Sequence, residues 1–150
     1  MKKLNHKGTL LLAIGNSGRQ DDGLGWAFAE ALEKMGFFKG QVQYRYQLQV
    51  EDAELVASAS CVIFVDAFKG SLPGGFRWQP CEPAAEFQFS THAISPASIV
   101  FLCQSLYDCL PEAWYLLIEG DAWELETGLS PAAAERMERA LAFFEALVAS

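Results

Sequence analysis

An apolar run, residues 9–14, breaks into a glycine-rich turn that carries two adjacent carboxylates, Asp21 and Asp22. A short apolar run followed by a turn and a helical pattern is typical of a buried strand that leads into a helix. In open α/β sheets, the turns that follow the strands hold the functional groups. This segment therefore predicts an α/β sheet with a site at the carboxyl end of its first strand.

Glycines at positions 15, 18, 23 and 25 would let a phosphate approach the backbone of this turn. A phosphate site is disfavoured, because Asp21 and Asp22 stand at the start of the helix and no Lys-Ser or Lys-Thr pair follows. A nucleotide-binding module remains an alternative, since the backbone of residues 15–18 suits a phosphate. The carboxylates favour a cation, and a metal ion is the first candidate.

The rest of the chain alternates between strand and helix patterns. Residues 42–50 alternate in polarity as an edge strand does, whereas Cys61–Asp66 and residues 113–118 form continuous apolar runs typical of buried strands. Residues 76–79 follow a Pro-Gly turn so closely that no crossover helix fits, which predicts a strand antiparallel to the preceding one.

Four helices are predicted from helical spacing and from capping residues. Residues 51–60 form a short one; the first helix ends at Gly36, and Ser-Pro pairs at 95–96 and 130–131 begin the last two. The predicted apolar stripes of the three longer helices are Leu24, Ala27, Phe28, Ala31, Leu32 and Met35; Ile99, Leu102, Cys103, Leu106 and Leu110; and Ala134, Met137, Leu141, Phe144, Leu147 and Val148. Together these elements predict a three-layer α/β/α sandwich that forms a single domain over residues 1–150.

Composition narrows the possible partners. The net charge of -8 argues against nucleic acid, because so acidic a chain would not displace counterions from phosphates. No apolar run approaches the roughly 20 residues of a membrane span, so we expect a cytoplasmic protein with no membrane partner.

The four cysteines show no Cys-x-x-Cys spacing, and we expect free thiols, with Cys61 and Cys103 in the core.

Carboxylate and imidazole side chains from three separate segments of the chain are expected to converge. Asp21 and Asp22 follow the first strand, Asp66 ends the third, and His92 precedes the helix that leads into the fifth. Carboxylates and an imidazole suit a divalent transition metal that keeps open coordination positions. Each residue has a structural alternative, since either aspartate of the turn can cap a helix, Asp66 can form a turn and His92 can lie in an exposed loop.

Other catalytic arrangements fit less well. Ser17, Ser71 and Ser90 are candidates for a serine nucleophile, but none lies in a Gly-x-Ser-x-Gly elbow. No cysteine stands at the end of a predicted parallel strand. The aromatic residues of the 68–89 region either dock a partner or complete the core, and we expect them to pack inward; they are Phe68, Phe76, Trp78, Phe87 and Phe89.

Several motifs, in order, resemble those of the nickel-iron hydrogenase maturation endopeptidases, and the resemblance covers nearly the whole chain. The motifs are Ile14-Gly15-Asn16 with Asp21-Asp22-Gly23-Leu24-Gly25, Val65-Asp66-Ala67 before a Pro-Gly turn, Ser90-Thr91-His92-Ala93-Ile94-Ser95, Ile118-Glu119-Gly120, and Gly128-Leu129-Ser130-Pro131. The resemblance implies a phosphorylase/hydrolase-like fold with a five-stranded, mostly parallel sheet and one antiparallel strand.

The resemblance also implies an activity, namely removal of the carboxy-terminal extension of a hydrogenase large-subunit precursor after nickel insertion. By position, its metal-contacting residues fall on Asp22, Asp66 and His92, with the two aspartates as catalytic candidates. The nickel would belong to the substrate, and the same site would accept other divalent metals such as cadmium or zinc. We expect a monomer, and a non-catalytic nickel-sensing or escort protein with the same site remains an alternative.

Overall fold

The computed structural model describes residues 1–85 and 94–149. Its centre is a five-stranded sheet in the order β2-β1-β3-β5-β4. The strands are β1 (Thr9–Ile14), β2 (Gln41–Arg45), β3 (Cys61–Lys69), β4 (Phe76–Pro80) and β5 (Glu112–Gly120). Strands β2, β1, β3 and β5 run parallel, and β4 pairs antiparallel with β5, so the predicted mostly parallel sheet is confirmed.

Helices cover both faces of the sheet, which confirms the three-layer sandwich. They are α1 (Leu24–Met35), α2 (Asp52–Ala57), α3 (Pro96–Tyr107) and α4 (Pro131–Ala149). Alternate residues of β1 and β3 enter two separate cores, as the period of a strand requires. Leu11 and Ile63 pack with α1 and α4, whereas Leu12 and Phe64 pack with α2 and α3. None of the described helices is both long and apolar enough to cross a membrane.

The predicted end of α1 and the predicted starts of α3 and α4 are confirmed, whereas α2 is shorter than the predicted 51–60. Gly36 ends α1 in the left-handed conformation, with φ of 77°, which glycine adopts at little cost. The Ser95 hydroxyl accepts the backbone N–H of Ser98 at the start of α3, and the Ser130 hydroxyl accepts that of Ala133 at the start of α4. These side chains satisfy amides that have no partner within the helix.

Two strand boundaries differ from the prediction. Strand β2 stops at Arg45 rather than Val50, because the Arg45 guanidinium pairs with Asp52 at 3.0 Å and Asp52 also accepts the Gln49 amide, which draws the chain into a turn. Strand β3 continues to Lys69, because its pairing with β5 extends that far. Asp66 therefore lies within the strand and not at its end.

The apolar stripe of α3 is shorter than predicted. Leu106 and Leu110 are 57% and 60% exposed, whereas Cys103 is fully buried. Cys61 is also buried, as expected, and all four cysteines are free thiols.

Two of the aromatic residues expected to pack inward, Phe76 and Trp78, pack against the core. Trp78 stacks on Trp114 with ring centroids 5.0 Å apart, and Phe76 packs beside Phe143. Phe68 lies beside a cavity discussed below. Phe87 and Phe89 are outside the described residues.

Candidate functional site

The carboxyl ends of β1 and β3 lie side by side, with Ala13 in register with Val65. Strand β1 continues into the turn that carries Asp22, and β3 itself carries Asp66. Both aspartates line one cavity of about 320 Å³, here called the carboxylate cavity, whose full lining is Arg19, Asp22, Asp66, Ala67, Lys69 and Trp123. The sheet therefore brings together two acidic groups that are far apart in sequence.

The β1–α1 turn (residues 15–23) fixes the backbone of Asp22. The Asp22 carbonyl accepts the Asn16 amide at 3.1 Å, and the Asp22 amide donates to the Arg19 carbonyl at 3.1 Å. Gly15 has a φ of 152°, and a Cβ there would lie 2.1 Å from the Asp22 carbonyl oxygen. Only glycine permits so close an approach, which gives this residue of the motif a structural role.

Helix α1 begins directly against the sheet because Gly25 has no side chain. A Cβ at Gly25 would lie 2.4 Å from the Ile14 carbonyl oxygen and 2.7 Å from that of Val65. The start of α1 therefore rests on the end of β1 and on Val65 within β3. This contact sets the position of Asp22 relative to Asp66.

Asp21, although adjacent to Asp22, is fully buried and serves a structural purpose. Its Oδ2 accepts the Asp121 amide at 2.7 Å, the Ala122 amide at 2.9 Å and the Ser130 hydroxyl at 2.7 Å, and its Oδ1 accepts the Ser130 amide at 2.7 Å. Burial acts to raise the pKa of Asp21, but these hydrogen bonds outweigh burial and hold the pKa below its ordinary value. Because both of its oxygens are already hydrogen-bonded, the Asp21 carboxylate is not available to a ligand in the carboxylate cavity.

Gln20 strengthens the same connection between the β1–α1 turn and the β5–α4 loop (residues 121–130). Its side-chain carbonyl accepts the Glu124 amide at 2.9 Å, and its side-chain amide donates to the Glu126 carboxylate at 2.9 Å. Gly120 makes room for the contact, since a Cβ there would lie 2.7 Å from the Asp21 Cβ. The turn and the loop are consequently held as one unit.

The two cavity carboxylates resist being ionised together. Burial raises the pKa of Asp66 to about 7, the Ala67 amide that donates to Asp66 Oδ1 at 2.8 Å lowers it, and the Asp22 charge raises it further. Burial also raises the pKa of Asp22, against the opposing effects of Arg19 and of the Asn16 amide. A cation between such groups would relieve their repulsion and restore their charge, which is the chemistry of a metal site.

Three residues of this cavity were missed by the sequence analysis, namely Arg19, Lys69 and Trp123. Arg19 precedes Asp22 by three residues and Lys69 follows Asp66 by three, so closeness to the predicted ligands was the available signal. The Lys69 ammonium lies 5.6 Å from the centroid of the Trp123 ring. The cavity therefore carries both signs of charge.

A second cavity, of about 610 Å³, adjoins the first and shares Ala67 and Lys69 with it. Phe68, Tyr115 and Leu117 contribute apolar surface to its lining. Burial, followed by the neighbouring charge of Asp66, raises the pKa of the Tyr115 hydroxyl. This hydroxyl therefore stays protonated at neutral pH.

His92 lies outside the described residues, so its predicted place beside the aspartates stays a prediction. Within residues 1–85 and 94–149, no three histidine, cysteine, aspartate or glutamate side chains are grouped closely enough to hold a metal ion. Ser17 lines a different, smaller cavity, beside Trp26 and Glu30.

No protein-family model matches the sequence, and no curated protein is similar enough to count as a match. Solved structures do match. The hydrogenase maturating endopeptidase HybD from E. coli superimposes with a TM-score of 0.71 at 20% identity, over 93% of this chain and 91% of that one. The fold is that of the hydrogenase maturation endopeptidases.

Two further maturation proteases superimpose over similar lengths. HycI from Thermococcus kodakarensis KOD1 gives a TM-score of 0.72 at 19% identity, covering 95% of this chain and 92% of that one. HybD from Thermococcus kodakarensis gives 0.65 at 21% identity, covering 93% and 98%. The resemblance predicted from the motifs is thus confirmed in the fold, over almost the whole of each maturation protease.

Proposed function

We propose that this protein is an endopeptidase that removes the carboxy-terminal extension of a nickel-iron hydrogenase large-subunit precursor after nickel has been inserted. The nickel arrives with the substrate, and Asp22, Asp66 and His92 recognise it. The observation that carries the proposal is the placing of Asp22 and Asp66 in one cavity at the carboxyl end of the sheet. The likeness of the fold to that of maturation endopeptidases supports the same conclusion.

The two aspartates have different roles because their surroundings differ. Asp66 is the more strongly perturbed group, with its pKa raised to about 7, so it loses its proton readily once a cation is near. Asp22 lies on a turn that Gly15 and Gly25 hold against the sheet, which fixes the distance between the two carboxylates. Together they would hold the substrate's nickel, and with it the scissile peptide, in one orientation.

The reaction itself is the hydrolysis of one peptide bond. Water forms a bond to the carbonyl carbon, the carbon–nitrogen bond breaks, and a proton passes to the departing amine. Nickel held beside the peptide would polarise the carbonyl or the attacking water. Asp22 and Asp66 are the remaining candidates for the proton acceptor, through a carboxylate oxygen that the nickel leaves free.

The direct test is to incubate the protein with a nickel-loaded large-subunit precursor from the same organism. Mass spectrometry of the large subunit should show loss of the carboxy-terminal segment, and the nickel-free precursor should stay intact. Asp66→Asn and Asp22→Asn should each slow processing by about a hundredfold or more, because losing a residue that only supports a metal ligand already costs about 10- to 100-fold.

Two outcomes would contradict the proposal. Binding of the nickel-loaded precursor without shortening would identify an escort protein instead. Thermal stabilisation by nucleotides, with no processing, would identify a nucleotide-binding module.

A further inference from the structure

One wall of the carboxylate cavity is basic, in a protein that is acidic overall. The chain has 11 lysines and arginines against 19 aspartates and glutamates, yet Arg19 and Lys69 both line this cavity. They approach it from different elements, since Arg19 belongs to the β1–α1 turn and Lys69 is the last residue of β3. Neither is needed to bind a cation, so the basic wall requires a different explanation.

Trp123 positions both basic side chains. The Lys69 ammonium lies 5.6 Å from the centroid of its ring, within the range of a cation–π interaction. The Arg19 guanidinium donates a long hydrogen bond of 3.5 Å to its backbone carbonyl. Trp123 belongs to the β5–α4 loop, which Asp21 and Gln20 tie to the β1–α1 turn.

Among the described residues, neither basic group has a carboxylate partner in an ion pair. Within residues 1–85 and 94–149, the ion pairs are formed by Lys3, Arg45, Arg136 and Arg139, and none includes Arg19 or Lys69. Arg19 acts on Asp22 through its charge, which lowers the pKa of that carboxyl, but no ion pair joins the two. An anionic group is therefore a suitable ligand for this wall.

From this arrangement we infer that Arg19 and Lys69 bind a carboxylate of the polypeptide substrate, beside the bond to be cleaved. The inference rests on the proposed function, which supplies the polypeptide. Asp22 and Asp66 bind the metal cation that the substrate carries, and Arg19 and Lys69 bind the substrate's carboxylate. The cavity therefore matches a polypeptide that carries both a positive and a negative group. A phosphate is disfavoured, because its second negative charge would face the two aspartates.

The carboxylate can come from an acidic side chain or from a free carboxyl terminus, and short peptides separate these sources. The probes are acetyl-Ala-Glu-Ala-amide, acetyl-Ala-Ala-Ala with a free carboxyl terminus, and acetyl-Ala-Gln-Ala-amide as the neutral control. Each is titrated into the full chain while the indole N–H resonance of Trp123 is followed by NMR. Trp123→Phe identifies the resonance.

At least one acidic peptide should shift the Trp123 resonance, and the neutral peptide should not. Arg19→Gln and Lys69→Gln should each lower the affinity for that peptide about tenfold, because each removes one charge-assisted contact. Lys69→Arg should retain binding. Lys39→Gln, which removes the same charge from an exposed residue that does not line this cavity, should leave the affinity unchanged.

Equal shifts with all three peptides, or no shift with any, would overturn the inference. So would an affinity that Arg19→Gln and Lys69→Gln leave unchanged. These measurements use no precursor and no nickel, so their failure leaves the proposed function untouched. Conversely, a protein that binds the acidic peptide but never shortens a precursor would retain this site and lose the proposed function.

Discussion

The Ser130 hydroxyl donates a hydrogen bond of 2.7 Å to the carboxylate of Asp21, a residue 109 positions earlier in the chain. The same hydroxyl accepts the Ala133 amide in the first turn of helix α4. One side chain therefore both caps a helix and joins the β5–α4 loop to the turn that carries Asp22. The geometry of the carboxylate cavity depends on this junction.

Asp21→Asn should destabilise the protein by about 2–3 kcal/mol, because an amide nitrogen would face donors that now reach a carboxylate. Denaturant unfolding measures the change. Since the pKa of Asp21 is held below its ordinary value of 3.8, its contribution is present above that pH and is lost as the pH falls further. Glu124→Gln, an exposed change in the same loop, is the control and should have little effect. Equal stabilities for the two variants would contradict this role of Asp21.

The pH dependence of stability should reveal Asp66. Its pKa is raised from 3.8 unfolded to about 7 folded, so the folded state holds the proton more tightly. The protein should therefore lose stability as the pH rises from about 4 to about 7, by at most about 4 kcal/mol from this residue. Thermal melts in the presence of a chelator should show a flatter pH profile for Asp66→Asn than for the unaltered chain. Parallel profiles would contradict the prediction.

Gly25→Ala should separate α1 from the sheet, because the new methyl group would lie 2.4 Å from the Ile14 carbonyl oxygen. We expect a loss of roughly 1–3 kcal/mol, as for other overpacked sites, together with slower processing, since Asp22 precedes this contact. Gly36→Ala is the matched control, because it adds strain of about 1 kcal/mol at a φ of 77° in open space far from the cavity. A Gly25→Ala variant that kept full activity would show that this contact does not set the site.

Arg136 of α4 pairs with Glu119 of β5 at 3.1 Å and with Asp121 of the β5–α4 loop at 2.8 Å. The Arg136 and Glu119 side chains are only 18% and 14% exposed, so Arg136→Met should leave a poorly hydrated carboxylate and cost about 2–3 kcal/mol. Arg139→Met is the control, because that arginine pairs with exposed Glu135 and its loss should cost less than about 1 kcal/mol. Urea denaturation separates the two cases, and similar losses would contradict the argument.

Local signals predicted most of the fold. Apolar runs located the buried strands, and Ser-Pro pairs and Gly36 located helix ends, because these features act through neighbouring residues. The ends of β2 and β3 were misplaced because they depend on distant partners, namely Asp52 for Arg45 and β5 for the last residues of β3.

The candidate site was predictable only in part for the same reason. Right-handed crossovers place the loops that follow parallel strands at one edge of the sheet, so a meeting of Asp22 and Asp66 could be expected from the sequence. The different roles of Asp21 and Asp22 could not be predicted. Adjacent residues on a turn of 3₁₀ helix point in different directions, and only the bonds of Asp21 to the β5–α4 loop distinguish the two. Likewise, the sequence does not indicate that Lys69 and Arg19 both contact Trp123, which lies much later in the chain.

The anchoring of the β5–α4 loop has a consequence for protein engineering. Gln20, Asp21 and Ser130 hold the ends of this loop, while Leu125 between them is 75% exposed. A loop of equal length grafted between Gly120 and Ser130, with the bonds to Asp21 preserved, would leave the sheet and both catalytic candidates in place. Under the proposed function, such chimeras test whether this loop contributes to recognition of the precursor.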